Sequence, residues 1–194
     1  MPKKSPSRSG FRHLEHFLEV SLRDFRHVGG LFPSSYWGAQ SVIRQMPPRP
    51  QSVVEYGAGD GTLTEYILDA IPQDSRLWGV EVNSRFVKDL QEIQDSRFKS
   101  LHENVLDRAE KLKELCPEGM DAVISGIPFS FLVPSERDYI IRQTYLGLKP
   151  GGRFIVYQYS PRLRERLAKT FGSCNLTFEP RNMFPLFVMV CIRK

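Results

Sequence analysis

The run Val53-Val54-Glu55-Tyr56-Gly57-Ala58-Gly59-Asp60-Gly61-Thr62-Leu63-Thr64 constrains this chain more than any other segment. Its β-branched start predicts a buried strand, its three alternate glycines a tight turn, and Thr62 onward a helix. Glycines here admit φ > 0 and let the backbone approach a ligand closely. A second acid, Glu81, closes the next apolar run, Leu77-Trp78-Gly79-Val80-Glu81-Val82. An acid at the tip of the second strand of such a unit is the expected partner of the two hydroxyls of a ribose. Together the two features point to a cofactor that contains a nucleoside.

The turn reads G-x-G-x-G, with Glu55 two residues before the first glycine. A pyrophosphate binder aims backbone N–H groups and a helix dipole at its anion, and an acid at that turn repels phosphates. S-adenosylmethionine has no phosphate and carries an α-ammonium and a sulfonium, which Glu55 and Asp60 suit. The expected cofactor is therefore S-adenosylmethionine.

The chain beyond residue 50 alternates. Strands are expected near 52–57, 77–82, 98–102, 121–125 and 153–159, and helices near 61–71, 84–93, 107–115, 135–147 and 161–170. Such alternation implies an α/β fold with a parallel sheet covered by helices on both faces. Residues 174–179 and 186–193 read as two further strands. The apolar run 183–192 is too short to span a bilayer and contains Pro185. Before residue 50, Phe11, Leu14, Leu18, Leu22 and Phe25 recur at helical spacing, and Gly29-Gly30 stops that helix. A second helix is expected from Tyr36 to Gln45, with a serine of Pro33-Ser34-Ser35 as its N-cap.

At 194 residues one domain is expected, residues 51–194, preceded by a disordered basic tail (1–10) and N-terminal helices (11–46). The three cysteines, Cys116, Cys174 and Cys191, are odd in number and widely spaced, which predicts a reducing, cytoplasmic setting, no disulfide framework and no metal. Charge is uneven. Residues 1–50 hold eight Lys/Arg and three Asp/Glu, a net of +5, and the remainder holds 19 of each. That asymmetry predicts an acidic partner surface, either membrane or nucleic acid.

From Glu55 onward the chain resembles the class I methyltransferases. Glu55-Tyr56-Gly57-Ala58-Gly59 is similar to the family's cofactor loop, Glu81 with Val82 to its ribose-binding tip, and Leu148-Lys149-Pro150-Gly151-Gly152 to the turn into its fifth strand. Asn104 and Val105 stand where the family contacts the adenine amine and ring, and Ser125 ends its fourth strand. The resemblance implies a Rossmann-like, seven-stranded, mostly parallel sheet that ends in an antiparallel hairpin.

The segment Ser125-Gly126-Ile127-Pro128-Phe129-Ser130 is similar to the N-x-P-Y/F motif of the nucleic-acid adenine methyltransferases, where a polar side chain binds the planar amine and the aromatic ring stacks on the base. Gly126 departs from it, leaving only a carbonyl and the neighbouring Ser125. A second resemblance is to the bacterial phospholipid N-methyltransferases. It rests on Val28-Gly29-Gly30-Leu31-Phe32-Pro33-Ser34-Ser35, on Ser125-Gly126-Ile127-Pro128, and on Tyr157-Gln158-Tyr159-Ser160-Pro161. It implies methylation of the amine of phosphatidylethanolamine and its methylated forms by a cytoplasmic enzyme held peripherally on the inner face of the membrane. Its acceptor contacts are then expected at Ser34, Ser35, Gly126, Ile127, Pro128 and Phe129, with Arg162 as a further candidate for the lipid phosphate. Tyr157 and Tyr159 are the candidates for orienting the amine or accepting its proton. An N-terminal helix with a Phe/Leu stripe and basic flanks suits an interface with anionic lipid, and equally a helix packed on the domain. Adenine in nucleic acid and small amines remain the alternative acceptors.

Overall fold

The computed structural model describes residues 36–182 and 185–194. The first expected helix, Ser34 and Ser35 lie outside the described residues. Seven strands form one sheet: β1 (Ser52–Tyr56), β2 (Arg76–Glu81), β3 (Phe98–His102), β4 (Met120–Ser125), β5 (Leu148–Gln158), β6 (Asn175–Glu179) and β7 (Leu186–Ile192). Their order is β3-β2-β1-β4-β5-β7-β6. β1 to β5 pair in parallel, whereas β7 runs antiparallel to both β5 and β6. This is the arrangement that the resemblance implies, hairpin included. The strand order reverses between β1 and β4, so the crevice at the carboxyl ends of those strands is the natural ligand site.

Seven helices accompany the sheet among the described residues: α1 (Tyr36–Ile43), α2 (Thr62–Ala70), α3 (Ser84–Gln91), α4 (Val105–Ala109), α5 (Leu112–Leu115), α6 (Pro134–Gly147) and α7 (Arg164–Phe171). The period of two along each strand divides the core into two layers. On one face Val54, Tyr56, Val123, Phe154 and Val156 pack against α4 to α7. On the other, Val53, Ile124, Ile155 and Tyr157 pack against Ala39 and Val42 of α1 and Leu63 and Ile67 of α2. Glu55 and Tyr157 therefore project from the same face of the sheet.

Two elements differ from expectation. The single helix read near 107–115 is two short ones, because Lys111 leaves the helical region (φ −108°, ψ 18°). The break lets buried Leu112 dock on Gly147, where a Cβ would come within 2.5 Å of Leu112 Cδ1. β5 begins earlier than expected, at Leu148, which pairs with Met120 before the register shifts to Ala122 beside Arg153. Cys174 and Cys191, which sequence spacing gave no reason to associate, are free thiols brought to 2.8 Å between sulfurs on the adjacent β6 and β7 ends.

Candidate active site

The glycine turn after β1 is built by the close approach of the loop after β4. Gly57 has φ +75°, and a Cβ there would sit 2.9 Å from Cγ2 of Ile127. Its N–H donates to the Val80 carbonyl (2.8 Å), which ties the turn to β2. The Gly59 N–H donates to Glu81 Oε2 (2.9 Å), while Val82 and Asn83 donate to Oε1 (2.9 and 2.8 Å). Burial raises the carboxyl pKa of Glu81 and these three backbone donors oppose the rise. A carboxylate offers about four acceptor positions, so Glu81 holds the turn and keeps room for a hydroxyl.

Glu55 is fully buried. Oε2 accepts from the Thr64 hydroxyl (2.6 Å), and Oε1 has no partner. Burial pushes its pKa up to about 8, against the Thr64 hydrogen bond, with Glu81 and Asp60 adding repulsion. A buried acid with one unmet oxygen is a receptor for a donor or cation. Asp60, expected to serve the same cation, instead accepts from the N–H and hydroxyl of Thr62 (3.1 and 2.8 Å), at the head of α2. The sequence alone assigns Thr64 no role. Its place nine residues after Glu55, in the first turn of α2, is the signal that could have found it.

The adenine end is a cleft of about 450 Å³ lined by Val82, His102, Asn104 and Arg108 among others. Asn104 caps α4, its Oδ1 accepting from Leu106 N–H (2.9 Å), and its Nδ2 is buried without a partner. It therefore presents a donor, whereas an adenine amine needs an acceptor. A ring nitrogen of adenine matches that donor. Val105 is partly buried beside it.

The acceptor side lies at the ends of β4 and β5, in a cleft of about 510 Å³. Gly126, Pro128 and Phe129 line it with Tyr157 and Tyr159. A Cβ at Gly126 would overlap the Tyr157 hydroxyl and approach its Cζ to 2.6 Å. The phenol thus occupies the space that a side chain at 126 would take. Neither Tyr157 Oη nor Ser125 Oγ, both buried, has a hydrogen-bond partner. Burial, then the negative charge of Glu55, raises the Tyr157 pKa well above the ordinary phenol value. The neutral phenol can orient an amine, but it cannot act as a phenolate base near neutral pH. Burial also raises the Tyr159 pKa. Phe129 differs from expectation: its ring is 1% exposed and meets Phe154 edge-on at 6.5 Å. It belongs to the core and offers no face for a base or a methylated cation. The Gln158 amide, given no role from the sequence, donates to the Ile127 carbonyl (3.0 Å) and fixes this loop on β5.

Residues 54–154, more than half of the chain, match the family model described as a methyltransferase domain. No curated protein matches the sequence. Among solved structures, the chain is similar to the 1,6-didemethyltoxoflavin-N1-methyltransferase of Burkholderia thailandensis, crystallised with S-adenosylhomocysteine. That match has 17% identity and a TM-score of 0.67, and covers 100% of this chain and 94% of that one. It is similar to the N-methyltransferase NodS of Bradyrhizobium japonicum WM9 at 12% identity and a TM-score of 0.63, over 80% of this chain and 93% of that one. Spermidine synthase of Thermotoga maritima matches at 17% identity and a TM-score of 0.62 over 79% of this chain, which spans only 56% of that protein. The chain belongs to the methyltransferase domain family. The cofactor of such a domain is S-adenosylmethionine, and the unmet acceptor of Glu55, the remaining position on Glu81 and the unmet donor of Asn104 fit its ammonium, ribose and adenine.

Proposed function

We propose that this chain transfers methyl groups to the amine of phosphatidylethanolamine and its methylated forms. One observation carries the reading: the Tyr157 hydroxyl fills the space over Gly126, where an adenine-specific enzyme places a polar side chain for a planar amine. A single phenol oxygen accepts from a tetrahedral alkyl amine without demanding planarity. The burial of Phe129 removes the stacking face at the aromatic position of the adenine-enzyme motif.

Bound S-adenosylmethionine supplies a methyl group already activated on a sulfonium. The residues then have to orient the acceptor and exclude water. Glu55 would hold the cofactor's ammonium, Glu81 its ribose and Asn104 its adenine. Tyr157 would accept a hydrogen bond from the amine and direct its lone pair toward the methyl group. An alkyl ammonium with a pKa near 10, as for lysine at about 10.4, must first lose a proton. Tyr157 stays neutral, so we assign that proton to bulk water, lost before the acceptor enters the cleft. Among the described residues no helix is long and apolar enough to cross a membrane. On this reading the protein works at the bilayer surface, drawn there by the net charge of +5 on residues 1–50.

The test is transfer of label from radiolabelled S-adenosylmethionine to phosphatidylethanolamine vesicles containing anionic lipid, with Glu55→Ala as control. Label in mono-, di- and trimethylated lipid, absent in the variant, is the expected result. No lipid label from protein that demonstrably binds cofactor would overturn the reading and turn the search to RNA and small amines.

A further inference from the structure

The acceptor cleft has a charged mouth. Its lining includes three guanidinium groups, Arg137, Arg162 and Arg166, and no carboxylate. They come from three separate elements. Arg137 lies in the first turn of α6, Arg162 in the 3-10 turn Pro161–Leu163 that follows β5, and Arg166 in the first turn of α7. Solvated surface arginines do not ordinarily converge on one cavity from three directions.

Their hydrogen bonding separates them. Arg166 is anchored: its Nη1 donates to Asp138 Oδ1 (2.6 Å) and to the Pro134 carbonyl (3.3 Å), which fastens the start of α7 to the start of α6. Arg162 is exposed, and its side chain has no acceptor among the described residues. Arg137 is half-buried, and its Nε is shut off from solvent without any partner. A buried N–H donor with no acceptor is costly to maintain. What the cleft meets is the rest of the Arg137 group, which lines it beside two further guanidinium groups and no carboxylate, an arrangement that favours an anion. Guanidinium forks match phosphate oxygens in pairs, with charge-assisted hydrogen bonds.

We propose that Arg137, Arg162 and Arg166 form an anion subsite that receives the phosphate of an acceptor whose amine lies at Tyr157. The inference rests on the reading of this cleft as the place of methyl acceptance. It adds to that reading the residues that would hold the phosphate, and extends it to any aminoalkyl phosphate. The amine goes to the floor of the cleft, under the Tyr157 hydroxyl, and the phosphate goes to its mouth. Two sources carry that chemistry: the phosphodiester of a lipid headgroup, and a soluble phosphate ester of an amino alcohol. The neighbouring carboxylate of Asp138 is already engaged by Arg166, so it neutralises one of the three positive charges and leaves two for the ligand.

The experiment uses the full chain and its Arg137→Ala, Arg162→Ala and Arg162→Lys variants. Methyl transfer is measured to phosphatidylethanolamine in mixed micelles, to glycerophosphoethanolamine and to ethanolamine. Titration calorimetry with S-adenosylhomocysteine and with inorganic phosphate accompanies it. The expected result is a KM for the two phosphate-bearing acceptors raised tenfold or more in Arg137→Ala and Arg162→Ala, and partly restored in Arg162→Lys. Affinity for S-adenosylhomocysteine and the slow reaction with ethanolamine should stay as in the wild type, which also excludes a folding defect. Whichever of the micellar and soluble acceptors turns over faster identifies the source. Unchanged KM values and unchanged phosphate binding in both alanine variants would overturn the subsite while the amine reading stood. Should the wild type methylate none of the three acceptors, phosphate binding decides alone. Binding that is lost in Arg137→Ala and Arg162→Ala keeps the subsite, and absence of binding removes it.

Discussion

Glu55 is the residue on which burial and chemistry meet. Its carboxyl is fully buried, bonded on one oxygen to Thr64 and unmet on the other, and its pKa is pushed up to about 8. Between the unfolded value of 4.5 and about 8, the folded state holds a proton that the unfolded state has released. Stability therefore falls as pH rises through that window, and it levels off above about 8. The total is on the order of a few kcal/mol, because each tenfold change in proton affinity is worth about 1.4 kcal/mol. Cofactor binding has the opposite sense, because a cation at Oε1 favours the ionised acid. Affinity for S-adenosylmethionine should rise with pH from 6 to about 8, by up to about tenfold per pH unit, and then flatten. Glu55→Gln should abolish that slope, bind more weakly at pH 8, and be more stable there than the wild type. Calorimetry across pH and thermal unfolding check both halves, and a wild-type affinity that does not vary with pH would refute the assignment.

At the scale of elements, the site depends on two neighbouring strands kept in register. Ser125 pairs with Val156, so Gly126 and Tyr157 are the next neighbours beyond the ladder and share a face. The hydroxyl belongs to β5 and the space it fills belongs to the loop after β4. Tyr157→Phe removes the hydroxyl. Gly126→Ala displaces the ring, because its Cβ would lie 2.6 Å from Cζ. Each should lower kcat/KM by roughly 10- to 100-fold, a range typical of a positioned polar group. Affinity for S-adenosylhomocysteine should be unaltered. Both changes remove the same interaction, so the double variant should lose much less than the product of the two single losses. Fully multiplicative losses would mean that the two positions act independently. Neighbouring elements show how packing overrides local pattern. The expected 107–115 helix breaks at Lys111 because Leu112 must reach Gly147, and periodicity alone does not register that demand.

For the whole molecule, the surface around the crevice sets what it meets. Phe131 and Val133, on the loop that bounds the acceptor cleft, are 44% and 53% exposed. Trp37, in the first turn of α1, is 41% exposed with the Arg181 guanidinium 4.0 Å above its ring. Residues 1–50 also carry an excess of five positive charges, which the proposed function assigns to an anionic surface. Full-length protein should co-sediment with vesicles containing anionic lipid. Raising salt from about 0.1 M to 1 M shortens the screening length from about 10 Å to 3 Å and should release most of it. Each basic residue near an anionic surface contributes about 1 kcal/mol, so removing Lys3, Lys4 and Arg8 should weaken binding by about two orders of magnitude. Binding to neutral and anionic vesicles with equal, salt-independent affinity would contradict the electrostatic part of this picture.

The cofactor side was legible because it is local. Glu55, Gly57, Gly59 and Glu81 lie at the ends of two successive strands, and short-range spacing specifies a strand, its turn and the acid at its tip. The alternation of strands and helices was legible for the same reason, whereas the antiparallel pairing of the last two strands came from the family resemblance. The acceptor side was legible only in part: Gly126, Pro128, Tyr157, Tyr159 and Arg162 were named from the sequence and line the cleft, but how they meet was not. That Phe129 turns inward onto Phe154, that Tyr157 covers Gly126 from 31 positions away, and that arginines from α6, α7 and the turn after β5 face one cavity all follow from which strands lie side by side. Sequence spacing carries backbone conformation, whereas the convergence of side chains across the sheet is decided only when the strand order brings distant segments into contact.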